Sequence, residues 1–216
     1  GEGFWEMVQF HPAYAYEDFI QGLRPVVVDG QLSYRLLPGR LLDFIGRADG
    51  RATCVLIIDE INRADLSRVL GELLLLLEYR DARVPLAGGG TLQLPPNVVL
   101  IGTMNTADRS IALVDHALRR RFALIALRPD YDILRQMHPD LPLIAPLIAL
   151  MHEINRQIEE DYQIGPAFFL TPDLTRDLPD IWQMEIEPYL DELFFDRRER
   201  VTPWRWAAVR AKLGYV

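Results

Sequence analysis

The stretch VLIIDEINRADLSRV, residues 55–69, decides the fold. Its four apolar residues run straight into two carboxylates, Asp59 and Glu60, followed by an Asn-Arg pair and the start of a helix. With Cys54 in front, CVLII shows no polar alternation, a pattern that fits a central parallel strand covered on both faces. Carboxylates at the carboxyl end of such a strand stand where open α/β sheets bind their ligands. An acid there can hold hydrated Mg²⁺, and its neighbour can polarise an attacking water. Phosphoryl transfer asks for this kind of help, because it depends on positioning and charge neutralisation.

The elements around this strand follow from period and punctuation. Phe4 to Phe10 reads as a short strand and YAYEDFIQG as a helical turn ended by Gly22. VVVDGQLSYRL carries β-branched residues on both sides of Asp29-Gly30, a strong hairpin signal. PGRLLDFIGRA reads as a helix that offers Leu41, Leu42, Phe44 and Ile45 for burial. LSRVLGELLLLLEYR is too long for a strand and is expected to be one buried helix. RVPLAGGGTLQLPPN fits a hairpin with a glycine-rich tip, and VVLIG a second continuous apolar strand. SIALVDHALRRRF reads as a helix ending in three arginines, and ALIALRP as a third strand. Strands alternating with helices predict an α/β fold with a mostly parallel sheet. Beyond residue 130 the pattern turns purely helical, so an α/β core over 1–130 and a small all-α domain over 131–216 are expected.

Composition narrows the function. The chain has 216 residues, half of them hydrophobic, enough for a sizeable core. A net charge of −8 argues against bulk electrostatic binding of nucleic acid. Cys54 is the one cysteine, which excludes an internal disulfide and fits a reducing, cytoplasmic setting. No run reaches the ~18 apolar residues of a membrane span.

Two further sites suggest themselves. The strand VVLIG ends in GTMNTADRS, which places Asn105 where a neutral side chain can bridge a water and a γ-phosphate. Cations at a helix end complement its dipole, which accounts for one arginine of ALRRRF better than for three. Arginines on the rim of such a domain can reach a neighbouring subunit's phosphate, where they stabilise transition-state charge.

VLIIDEINRA, IGTMNTADRS and VDHALRRRF, in this order and spacing, resemble the AAA+ domain of the McrB family, the NTPase subunit of methylcytosine-dependent restriction systems. VQFHPAYAYEDFIQGLRP is similar to that family's segment before its second helix. DEINRA is shared with MoxR-like AAA+ proteins, whereas MNTADRS together with HPAYAYEDF favours McrB. YQIGPAFFL and EIEPYLDELFFD match the helical lid more loosely. The resemblance implies a P-loop NTPase-type parallel sheet sandwiched by helices, followed by the lid. It makes Asp59 the Mg²⁺-coordinating Walker B acid, Glu60 the catalytic acid, Asn105 the sensor, and Arg120 and Arg121 arginine fingers. Arg63 and Arg109 match positions near the subunit interface. The resemblance implies a hexameric ring that hydrolyses GTP or ATP, with a McrC-like nuclease partner and with DNA reached only through a separate domain. The alternatives are a MoxR-like ATPase acting on protein clients and a degenerate, non-catalytic assembly module.

One departure is large. A phosphate-binding loop needs glycines and a lysine, as in G-x-x-x-x-G-K-[ST]. Lys212 is the only lysine among the 216 residues, and no such glycines precede it. AGGGT at 87–91 has the glycines and no lysine. The acids are thus expected to serve a loop placed before Gly1, with the chain either a fragment or a degenerate subunit that binds nucleotide weakly by itself.

Other motifs read as structure. MHEIN at 151–155 lacks the second histidine of a zinc motif, because residue 156 is arginine. His11, His116 and His138 are scattered, the acids near 158–161 fit a solvated helix end, and WRW at 204–206 fits lid packing.

Overall fold

The computed structural model describes residues 1–106 and 119–215. The chain divides into two compact units, Gly1–Ile125 and Ala126–Val216. The division falls after Ile125, where the sequence pattern suggested 130.

The first unit is built on a three-stranded parallel sheet of β1 (Trp5–Gln9), β4 (Cys54–Asp59) and β7 (Val98–Gly102), in the order β1-β4-β7. The quoted strand is therefore central, as its unbroken apolar run predicts. Cys54, Leu56 and Ile58 turn one face into the core, each 0–1% exposed. They meet Leu41, Phe44 and Ala48 of α2 (Arg40–Ala48) and the leucine-rich helices that follow β4. Each such Leu or Ile contributes roughly 1.5–3 kcal/mol by leaving water.

Among the described residues, cover on both faces is not observed. Register aligns Trp5, Val55 and Val99 in one row and Met7, Ile57 and Ile101 in the next. On this second face Val55 and Ile57 are half-buried, while Trp5 (67%), Met7 (54%), Val99 and Ile101 are exposed.

A short helix α1 (Tyr16–Phe19) leads into the hairpin of β2 (Gln21–Val28) and β3 (Gln31–Pro38). Asp29 and Gly30 both take positive φ, 50° and 75°, as a two-residue primed turn requires. Register puts Leu23 opposite Leu36, Pro25 opposite Tyr34 and Val27 opposite Leu32. One face of the hairpin is thus wholly apolar, and all six of these residues are exposed. The alternation is visible in the sequence, whereas the exposure is not.

The expected single helix after Asp65 is two, α3 (Leu66–Leu70) and α4 (Leu73–Glu78). Gly71 breaks it at φ 47°, ψ −124°, outside the helical region. The Tyr16 ring packs so close that a Cβ on Gly71 would lie 2.6 Å from its Cε2. Apolar periodicity could not foresee a break imposed by a distant ring. The glycine-tipped hairpin is present as β5 (Val84–Pro85) and β6 (Thr91–Leu92), closed by Leu86 N donating to Gly90 O at 3.1 Å.

The expected third strand is a correction. ALIALRP, residues 123–129, forms no strand, and Leu124 (55%), Ile125 (82%) and Leu127 (93%) are exposed. A strand needs a neighbour for its backbone N–H and C=O groups, and among the described residues β7 pairs only with β4. The expected helix over SIALVDHALR lies almost wholly outside the described residues, together with Arg109 and His116.

The second unit has no strand among its described residues. Its main helices are α5 (Asp132–Met137), α6 (Ile144–Asn155), α7 (Leu174–Ile181) and α8 (Glu187–Leu193). A single π-turn, Trp182–Ile186, joins the last two, and Trp182 is fully buried. Its indole Nε1 donates to Trp204 O at 2.8 Å, and the Trp182 and Trp206 rings stand 6.4 Å apart. WRW is therefore lid core. Arg205 makes a two-pronged contact to Asp191 at 2.6 and 2.9 Å and reaches Glu187 at 3.0 Å. Asn155, at the end of α6, ties the unit inside. Its Nδ2 donates to Tyr131 Oη and Ile164 O, and its Oδ1 accepts from Ile164 N at 2.9 Å. Nothing in the sequence distinguishes this Asn from a surface residue.

Candidate functional site

The site is assembled by the carboxyl ends of three parallel strands. Gln9 of β1 stands opposite Asp59, and β4 is held to β1 by Phe10 N donating to Asp59 O at 2.9 Å. On the other side Ile58 stands opposite Gly102, so Thr103 is the next residue beside Asp59. By two-residue alternation Asp59 and Thr103 continue the rows of Val55–Ile57 and Val99–Ile101, on the open face of the sheet.

Thr103 Oγ1 donates to Asp59 Oδ1 at 2.6 Å, a contact that sequence reasoning missed. Its backbone closes the ladder, with Thr103 N donating to Ile58 O and Ile61 N donating to Thr103 O, both at 2.9 Å. Glu60 is lifted out of the ladder between these bonds, in the left-handed conformation at φ 53°, ψ 43°. For a non-glycine residue this costs on the order of 1–3 kcal/mol and is characteristic of functional sites. Gly102 leaves room for the turn, since a Cβ there would lie 2.9 Å from Ile61 Cδ1.

Glu60 faces Arg63 across one turn, with Arg63 Nε 3.0 Å from Glu60 Oε2. The contact is an ion pair and not an aligned hydrogen bond; Oε2 is shielded from solvent and accepts no hydrogen bond from any described residue. Arg63 thus stands beside the acid. Asn105 is exposed, two residues beyond Thr103 on the same segment.

Arg121 Nη2 pairs with Glu78 Oε2 of α4 at 2.8 Å, leaving the arginine side chain 21% exposed. Arg120 is exposed. Phe122 packs on the core and anchors this pair of arginines to the first unit. Glu78 is a second residue that nothing in the sequence singles out. Arg109 lies outside the described residues, so its place is not part of this geometry.

HPAYAYEDF forms an aromatic wedge behind the sheet. Phe10 stacks on Tyr14 at 4.6 Å and meets Phe19 edge-on at 5.3 Å. His11 meets the Tyr14 ring edge-on at 5.4 Å, which gives it a structural place. Asp18 accepts from Ala15 N at 3.1 Å and pairs with Arg24, and the arginine holds its carboxyl below the ordinary value. Burial, then the neighbouring Glu72 carboxylate, pushes the Tyr16 phenol up.

The donor set suits a hard cation held jointly with phosphates. Among the described residues no group of three His, Cys, Asp or Glu forms a cage. Mg²⁺ is usually held by one or two carboxylates plus substrate phosphates. Asp59 Oδ2 accepts no hydrogen bond from any described residue and is the oxygen suited to such a contact.

A parallel sheet with adjacent acids at the end of its central strand, followed by an all-helical unit, is the layout of an AAA-type domain with a lid. Comparison with known families agrees. "AAA domain (dynein-related subfamily)" matches residues 3–122, and "McrB, alpha-helical lid domain" matches residues 146–202. The chain belongs to the AAA family, and its helical unit carries the match to the McrB lid.

Among curated proteins it is 37% identical to the "Type IV methyl-directed restriction enzyme EcoKMcrB subunit" of Escherichia coli (strain K12), over 92% of this chain and 49% of that protein. It is 28% identical to the "Type II restriction enzyme BsuMI component YdiS" of Bacillus subtilis (strain 168), over 54% of this chain and 46% of that protein. The chain spans about half the length of these curated relatives. A solved structure of a candidate ATPase from Cytophaga hutchinsonii ATCC 33406 covers 96% of this chain and 55% of its own, at TM-score 0.39 and 16% identity. That likeness is too loose for residue-level comparison. No helix among the described residues is long and apolar enough to cross a membrane.

Proposed function

We propose that this domain is the NTPase core of a McrB-like restriction system, hydrolysing GTP or ATP with Mg²⁺ between neighbouring subunits of a hexameric ring and driving a McrC-like nuclease partner. The observation that carries the reading is the adjacent pair Asp59 and Glu60 at the carboxyl end of the central parallel strand, with the Asn105 segment alongside. Asp59 is the residue to hold Mg²⁺, which would supply charge neutralisation at the phosphates. Glu60, displaced from the ladder in its left-handed conformation, orients and deprotonates the attacking water. Asn105 aligns that water from the neighbouring strand. Arg121, or Arg120 beside it, completes the site of the adjacent subunit, with Arg63 and Arg109 at the same boundary.

The glycines and lysine that cradle phosphates are absent from the 216 residues, so this reading has them supplied by other polypeptide. Among the described residues one face of the sheet is exposed and β7 pairs only with β4, which suits further elements beside the acids. DNA would be met through a separate domain, consistent with the charge of −8. Restriction is favoured over the remodelling of protein clients by the lid match and by the likeness to two restriction-enzyme components.

The test is Glu60→Gln in a protein that carries the phosphate-binding loop. Nucleotide binding should persist, while hydrolysis falls by roughly 10²–10⁴-fold, the usual contribution of a general base. Hydrolysis at the parental rate would remove Glu60 from the mechanism.

A further inference from the structure

We infer that Thr103 is a positioning residue for the Asp59 carboxylate, setting which of its oxygens is presented to the metal–nucleotide complex; this rests on the nucleotide-site reading above. The hydroxyl has one proton, and it goes to Asp59 Oδ1 at 2.6 Å. Its lone pairs face Glu60 N at 3.4 Å, at the long limit for a hydrogen bond. One side chain therefore touches both acid positions, the first through its carboxylate and the second through its backbone.

Three features make the contact specific. The parallel register places Thr103 immediately beside Asp59, one step past the Ile58–Gly102 pair. The Thr103 backbone is fixed on both sides, donating to Ile58 O and accepting from Ile61 N, so the side chain starts from a fixed point beside the carboxylate. Oδ1 is occupied by this donor while Oδ2 has none among the described residues, which breaks the symmetry of the carboxylate. Thr103 also lies two residues before Asn105, so a shift of the water-aligning segment is felt at Asp59 through a single side chain.

A partner that orients a metal ligand typically changes metal affinity by 10–100-fold when removed. Thr103→Val keeps the shape and loses the hydroxyl, whereas Thr103→Ser keeps the hydroxyl. In the protein carrying the phosphate-binding loop, Mn²⁺ affinity of the nucleotide complex is read by electron paramagnetic resonance, beside turnover as a function of Mg²⁺ and a melting curve. Thr103→Val should weaken Mn²⁺ binding by about 10–100-fold and raise the Mg²⁺ needed for half-maximal turnover to match. Its melting temperature should stay near the parental one, and Thr103→Ser should restore the metal affinity. Unchanged Mn²⁺ affinity in Thr103→Val, with Asp59→Asn strongly impaired, overturns the role of Thr103 and leaves the site reading intact. If Asp59→Asn also binds Mn²⁺–nucleotide like the parent, the site reading itself fails.

Discussion

Replacing Arg121 by Ala separates two roles whose magnitudes differ widely. Within one chain Arg121 meets Glu78 at 2.8 Å, with side-chain exposures of 21% and 48%. A pair this open to solvent contributes about 0–1 kcal/mol. An arginine reaching a neighbouring subunit's phosphate contributes about 10³–10⁵ in rate, or roughly 4–7 kcal/mol at about 1.36 kcal/mol per decade. If the ion pair were its whole role, Arg121→Ala and Glu78→Gln would behave alike, each losing at most about 1 kcal/mol of stability and less than about tenfold in rate. We expect them to diverge. In a protein carrying the phosphate-binding loop, Arg121→Ala should nearly abolish steady-state turnover with nucleotide binding retained, whereas Glu78→Gln should stay within about tenfold of the parent. Mixing Arg121→Ala with Glu60→Gln subunits should recover part of the rate, because some boundaries then join an intact acid to an intact arginine. Equal, small effects of Arg121→Ala and Glu78→Gln would refute the reasoning, and loss of turnover in Arg120→Ala alone would move the role to the exposed neighbour.

Other outcomes follow from the packing. Asn155→Ala strands the buried Ile164 N–H and removes two further bonds, so it should destabilise the second unit by about 2–4 kcal/mol in chemical denaturation, whereas Tyr131→Phe, which removes the hydroxyl's bonds to Asn155 and Ile164 O but leaves Asn155 bonded to Ile164, should cost about 1–2 kcal/mol; a larger cost for Tyr131→Phe would show that Asn155 is not the hub. Gly71→Ala forces an unfavourable backbone conformation and a 2.6 Å approach to Tyr16, for a loss of about 1–3 kcal/mol or more read as a lowered melting temperature; a neutral result contradicts the close packing there. Asp18 is held below 3.8 chiefly by Arg24, so its contribution should be complete above that pH and fade as the pH falls through the depressed value. Because both partners are more than a third exposed, the gap between the parent and Asp18→Asn should be only about 0.2–1 kcal/mol at neutral pH and shrink with salt. A gap independent of pH would assign the effect to something other than this charge.

What the sequence determined by itself are the features that local chemistry dictates. Asp29-Gly30 fixes a turn because both residues tolerate positive φ, and CVLII is short, rich in β-branched residues and apolar throughout, as a buried strand is, so the hairpin and the central strand with its terminal acids were legible from the residues alone. Tertiary structure decided everything that depends on a distant partner. One helix became two because the Tyr16 ring lies against Gly71. ALIALRP has strand composition and is no strand, because a strand exists only where a neighbour takes its backbone hydrogen bonds. Thr103 gained its place beside Asp59 from the parallel register of β4 and β7, and Glu78 met Arg121 across 43 residues of chain. Such contacts join residues far apart in sequence, and only the folded register and packing bring their atoms together.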